Sequence, residues 1–221
     1  MFDIESYIGQ LTELLKRRFE ERLLYVGLQG SYLRGEANEN SDIDVMVVID
    51  GLSVSDLKNY RETIEFMEHY DRSCGFICSK ADLEKWNPLE ICHLLNSTKD
   101  YYGVLEALVP AYTRQDVQNF VKMSVNNLYH EICHRYIHAD AESNAAALPG
   151  TYKGVFFILQ NLYYLTHGKF IGTKAELLEL LVGKNHDVLQ RSVDMAHGKS
   201  FGFEESFELL FSWCQEVLQH V

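Results

Sequence analysis

Two aspartates one residue apart, Asp42 and Asp44, stand at the head of the run Ile43-Asp44-Val45-Met46-Val47-Val48-Ile49, and ten residues separate them from an upstream Gly30-Ser31. In an extended strand, residues i and i+2 point to one face about 7 Å apart. Asp42 and Asp44 therefore converge on one side while Ile43 and Val45 bury on the other. Two carboxylates on one face are hard oxygen donors of the kind magnesium takes, one or two at a time, alongside substrate phosphates and water. Gly30 permits close backbone approach, and Ser31, at a turn entering a short helix, offers a hydroxyl and a backbone N–H to phosphate oxygens. Types and spacing together describe a phosphate site in which Asp42 and Asp44 hold a pair of Mg2+ ions. Arg34 has two prospects, a phosphate or the side chains of Glu36 and Glu39.

A second pattern competes. His130-Glu131-Ile132-Cys133-His134 matches H-E-x-x-H, and on a helix the i and i+4 histidines share a face as zinc peptidases require. His138 extends the spacing by another turn, but a third ligand normally comes from beyond the helix, and the downstream Glu142 and His167 have no distinctive context. A mixed helix face lining a cleft explains the same residues more simply. Five cysteines, Cys74, Cys78, Cys92, Cys133 and Cys214, form no C-x-x-C pair, which fits reduced, mostly buried thiols rather than a disulfide framework.

The elements that must position these residues follow from periodicity. Ile4, Ile8, Leu11, Leu15 and Phe19 mark one helical face over residues 3–22, and residues 23–28 form a short buried strand ending at Gly30-Ser31. Residues 43–49 are the second strand. Ser53-x-x-Asp56 opens a helix reaching Met67, residues 74–78 form a third strand, and Ser79-x-x-Asp82 starts another helix. After Pro110 every periodic segment is helical: from Thr113 to about Ala139, 151–167 ending at Gly168, a helix from Thr173, then 187–197 and 203–220, with 141–150 a loop. The fold class is an α/β (α+β) domain with a mixed sheet flanked by helices, residues 1–110, followed by an all-α helical bundle, residues 111–221. Without a linker the halves should pack closely, and a cleft between them is the default place for a ligand.

Composition narrows the partners. With 221 residues, 47% of them apolar and a net charge of −12, the chain is an acidic globular protein. The first half carries 11 basic and 20 acidic side chains, the second 9 and 12. Such a surface repels polyanions and disfavours broad nucleic-acid binding, a template-using polymerase included. No apolar run approaches the roughly 20 residues that span a bilayer and no leader pattern opens the chain, so it is read as cytoplasmic with no membrane partner. Oligomerisation stays open.

Gly30-Ser31 with Ser41-Asp42-Ile43-Asp44, placed at the end of one strand and the start of the next, resembles the signature of the polymerase-β-like nucleotidyltransferase superfamily. The helical second half is similar to that of small-molecule nucleotidyltransferases that adenylylate aminoglycosides, where a tyrosine-containing helix, a glycine and a lysine opening the next helix match Tyr163 to Lys169 and Thr173-Lys174. The resemblance implies AMP transfer from ATP to a hydroxyl of a small acceptor, with Asp42 and Asp44 as metal ligands, Gly30 and Ser31 on the phosphates and Lys174 on the triphosphate. An acidic first half suits a cationic acceptor. The family also implies a third carboxylate on a later strand, and here that place falls on Cys74 or Gly75. Asp71, Glu90, Glu106 and Glu131 are the substitutes to consider. The alternatives are a nucleotide-binding module without chemistry and AMP transfer to a protein.

Overall fold

The computed structural model describes residues 2–221, and the chain divides into two compact units, the first ending at Ala111 and the second beginning at Tyr112. In the first, α1 (Ile4–Phe19) starts where the Asp3 carboxylate accepts the Ser6 N–H at 3.2 Å, and it buries Ile8, Leu11, Leu15 and Phe19. β1 (Leu23–Leu28), a five-residue α2 (Gly30–Arg34), β2 (Ile43–Ile49), α3 (Val54–Ile64) and β3 (Ser73–Cys78) follow. α4 (Lys80–Leu83), α5 (Pro88–Asn96) and β4 (Lys99–Tyr102) complete the unit.

The four strands form one mixed sheet in the order β3-β2-β1-β4, in which β2 and β4 run antiparallel to β1 and β3 runs parallel to β2. Parallel neighbours need a crossover, and α3 supplies it, fixed by the capping box of Ser53 and Asp56. β2 is buried on both faces. Ile43, Val45, Val47 and Ile49 pack with α1 residues in one core, while Met46 and Val48 pack with Tyr25, Cys78 and Leu83 in another. Asp44 lies on the Met46 side, so the period of two that buries the valines also sets the carboxylate on the opposite face.

Several boundaries differ from the sequence reading. The helix expected to reach Met67 stops at Ile64, although Met67 still enters the core. The helix opened by Ser79 and Asp82 is a single turn, and a separate helix begins at Pro88, where the Asn87 side chain accepts the Leu89 N–H. Residues 99–102 form an edge strand that sequence reading did not find, because four residues beginning Lys-Asp carry too little apolar alternation.

The second unit is entirely helical among the described residues: α6 (Arg114–His138), α7 (Ala141–Lys153), α8 (Val155–His167), α9 (Lys174–Leu180), α10 (Gly183–Ala196) and α11 (Phe203–His220). α6 opens on the Thr113–Asp116 capping box and buries Val117, Val121, Val125, Leu128 and Ile132. The segment read as a loop, 141–150, is instead helical as part of α7. Asp140 caps it by accepting the Ser143 N–H at 2.8 Å, and the alanines of Ala141–Leu148 outweigh the Pro149-Gly150 breaker. α8 ends where Gly168 takes a left-handed conformation, as its sequence implies. No helix is long and apolar enough to cross a membrane among the described residues.

Candidate active site

The end of β1 and the start of β2 meet where the Gln29 N–H donates to the Asp44 carbonyl at 2.9 Å. At the next residue, Gly30, the backbone turns into α2 with φ +69°, and a Cβ built there would lie 1.9 Å from Asp44 Oδ2. The Asp44 carboxylate therefore occupies the space that any other residue at position 30 would fill. This is the physical reason for glycine at the first position of the Gly-Ser pair, and it joins the two halves of the motif. Asp44 is half-buried, Asp42 just ahead of β2 is exposed, and Ser31 is half-buried as the second residue of α2.

A residue that sequence reading passed over holds this corner together. Arg72, in the turn before β3, donates from Nε to the Ser41 carbonyl at 3.0 Å and from Nη2 to the Tyr32 hydroxyl. Its guanidinium also lies over the rings of Phe2 and Tyr32, with centroids 5.4 and 5.7 Å away. Arg72 thus ties the residue before Asp42 to the residue after Ser31. The parallel register, which pairs Ile43 with Ser73, is what brings Arg72 beside Ser41. No short-range spacing carries that information.

The third carboxylate that the resemblance implies is not found on β3. Asp44 is paired in register with Cys74 on β3. The Cys74 thiol is exposed and pushed above its usual pKa, first by partial desolvation and then by the carboxylates of Asp44 and Asp42, so it stays protonated at neutral pH. Gly75 cannot carry an acid, because at φ +147° a Cβ would meet the Val45 carbonyl oxygen at 2.0 Å. Among the described residues none of the substitutes is grouped with Asp42 and Asp44 to hold a metal ion. Glu90 accepts the Trp86 indole N–H at 2.6 Å, Glu131 lies in the second unit facing the Thr151 hydroxyl at 3.5 Å, and Asp71 and Glu106 are exposed turn residues.

Among the described residues no three His, Cys, Asp or Glu side chains are grouped to hold a metal ion, which also leaves the H-E-x-x-H stretch without a third ligand. Asp44, set into the cradle that a Cβ at residue 30 would fill, and the exposed Asp42 just ahead of the strand have the donor chemistry for one hard divalent cation completed by phosphate oxygens and water.

The flanking charges are mostly internally matched. Arg34 Nε donates to Glu36 at 2.9 Å in a pair whose side chains are 15% and 21% exposed, so of its two prospects the carboxylate is realised. The half-buried His93 is pushed down to about 4 by desolvation and, secondarily, by the Arg34 charge, which keeps its ring neutral. Lys174 belongs to the second unit as the first residue of α9, its ammonium 5.3 Å from the Phe156 ring centroid. The loop leading to it is held by the buried Gln160, which donates to the Ile171 carbonyl at 2.7 Å.

Comparison with known proteins agrees with this geometry. Residues 8–96 match the model of the nucleotidyltransferase domain family. Over 66 residues the chain is 35% identical to a chain of Methanocaldococcus jannaschii named as a protein adenylyltransferase, and 38% identical to the protein adenylyltransferase MntA of Thermococcus cleftensis. Each match covers 30% of this chain and 64% or 63% of the relative's length, so the chain spans somewhat less than two thirds of the curated relatives it matches. The crystal structure of spectinomycin adenyltransferase AAD(9) from Enterococcus faecialis with ATP and spectinomycin shares the fold, with a TM-score of 0.63 and 14% identity over 98% of this chain and 100% of that one. Residues 8–96 are therefore similar to a nucleotidyltransferase domain, and the fold of the chain is similar to that of an antibiotic adenyltransferase.

Proposed function

We propose that this chain transfers AMP from ATP to a hydroxyl group of a small, cationic acceptor. The observation that carries the reading is the seating of the Asp44 carboxylate in the space that a side chain at Gly30 would fill, with Asp42 just ahead of the same strand. Asp42 and Asp44 would hold Mg2+, which when bound supplies neutralisation of the charge developing on the triphosphate. Of the two ions anticipated, the second would have one protein ligand fewer than the family pattern implies. Gly30 and Ser31 would face the phosphates, and Lys174 is proposed as a triphosphate contact on the strength of the family resemblance.

In the reaction the acceptor oxygen bonds to the α-phosphorus, the bond from that phosphorus to the β-bridging oxygen breaks, and pyrophosphate leaves with the electron pair. The acceptor's proton passes to water, since no third carboxylate stands beside Asp44 to receive it. A positioned base is worth about 10²–10⁴ in rate, so the enzyme should turn over slowly.

Two further readings each rest on one observation. The names of the curated relatives favour a protein hydroxyl as acceptor. The thiol at Cys74 favours a nucleotide-binding module without transfer. The test is titration of ATP with Mg2+ into wild type and Asp42→Asn/Asp44→Asn, followed by pyrophosphate release with aminoglycoside and protein acceptors. Metal-dependent binding that disappears in the variant, with release stimulated by the small acceptor, supports the proposal. Stimulation by protein alone moves it to the second reading, release by neither moves it to the third, and absence of ATP binding overturns the site.

A further inference from the structure

The H-E-x-x-H stretch on α6 is not absorbed by the nucleotide site, and its side chains are arranged for something other than peptidase chemistry. Ile132 and Leu128 turn inward, Cys133 is half-buried, and the Glu131 carboxylate faces the Thr151 hydroxyl on α7. His130, His134 and His138 form the opposite stripe, all three exposed. Among the described residues no hydrogen bond or ion pair engages their rings, which meet only one another.

The spacing along that stripe is uneven. The ring centroids of His134 and His138 are 4.8 Å apart, whereas those of His130 and His134 are 6.1 Å apart. Two imidazoles that share one ion through nitrogen, with metal–nitrogen bonds of about 2.0–2.1 Å and a near-tetrahedral angle, have centroids roughly 5 Å apart. The first pair is already close to that distance. The second would need an angle far wider than tetrahedral.

We infer that His134 and His138 form a bidentate surface site for a borderline transition-metal ion of the zinc class, separate from the nucleotide site. Neutral imidazoles at i and i+4 of a helix face supply the nitrogen donors that such ions prefer over carboxylate oxygen. With no third protein ligand grouped beside them, water completes the coordination and the ion exchanges readily. Mg2+, which demands oxygen donors, does not compete. His130, one turn away, is outside the chelate.

The probe is Zn2+ alone, titrated calorimetrically into the metal-stripped full chain carrying Cys74→Ser, in excess Mg2+ so that the carboxylate pair is occupied. One ion per chain is expected. His134→Ala and His138→Ala should each weaken binding by at least about tenfold, while His130→Ala leaves the affinity within about twofold. All three positions are exposed, and circular dichroism checks that each variant keeps its helix content. Histidine ring resonances of His134 and His138 should shift together on zinc addition. Three results overturn the inference: no saturable binding, binding that survives both substitutions, or a loss on His130→Ala as large as the other two.

Discussion

Gly30 and Gly35 share the same backbone angle, φ +69°, but not the same surroundings, which allows strain and obstruction to be separated. A Cβ at residue 30 lies 1.9 Å from Asp44 Oδ2, whereas at residue 35 nothing lies within 4 Å. Alanine in the left-handed region costs roughly 1–2 kcal/mol at either position. At residue 30 the carboxylate must in addition retreat by about 1.5 Å to reach an ordinary contact distance near 3.4 Å. A displacement of that order from the productive position costs about 10²-fold in rate. Both variants should lose stability in urea unfolding, Gly30→Ala more than Gly35→Ala because the obstruction adds to the strain. Only Gly30→Ala should lose about a hundredfold in Mg2+-dependent pyrophosphate release, with Gly35→Ala staying within a few-fold of wild type. Equal activity losses in the two variants, or full activity in Gly30→Ala, would refute the claim that glycine is present to admit the Asp44 carboxylate.

Three shorter predictions follow from the same corner and from the frame behind it. Cys74→Asp places a carboxylate beside Asp44 on an exposed position and should raise turnover by about tenfold or more, with some loss of thermal stability from like charge; Cys74→Ser should leave the rate near wild type. Arg72→Met removes the donors to Ser41 and Tyr32, so ATP–Mg2+ affinity should fall while the sheet survives, as read by calorimetry beside circular dichroism. Asp56 is held well below its usual pKa of 3.8 by Arg22 and then by Ser53. Because the folded value is the lower one, its contribution is complete above pH 3.8 and is lost as pH falls from there toward the folded pKa. Urea midpoints measured down through that range should drop less steeply in Arg22→Met than in wild type.

Much of the frame was legible because local rules and tertiary context agreed. The β-branched run of residues 43–49 is the central strand with its alternation intact, and the boxes at Ser53, Ser79 and Thr113 each cap a helix. Readings failed where a local signal was weak or two signals opposed one another. β4 is short and charged at its start, and α7 holds a proline that composition overrides. Within the site, Asp42, Asp44 and Gly30 could be paired from spacing, since a period of two and a turn glycine are sequence-local facts. Arg72 could not, because it reaches Ser41 only through the parallel register of β3 against β2. The missing third acid was legible as a gap at Cys74 or Gly75, and the register pairs Cys74 with Asp44.

The central claim, that Asp42 and Asp44 support AMP transfer, is tested most directly by following the α-phosphate itself. ATP labelled at the α-position is incubated with Mg2+, an aminoglycoside acceptor and either wild type or Asp44→Asn, and the acceptor is analysed for label and for an added AMP by mass spectrometry. The account predicts one AMP on the acceptor, Mg2+-dependent and absent with Asp44→Asn. Label released only as free AMP, or an acceptor modified equally by the variant, would contradict it.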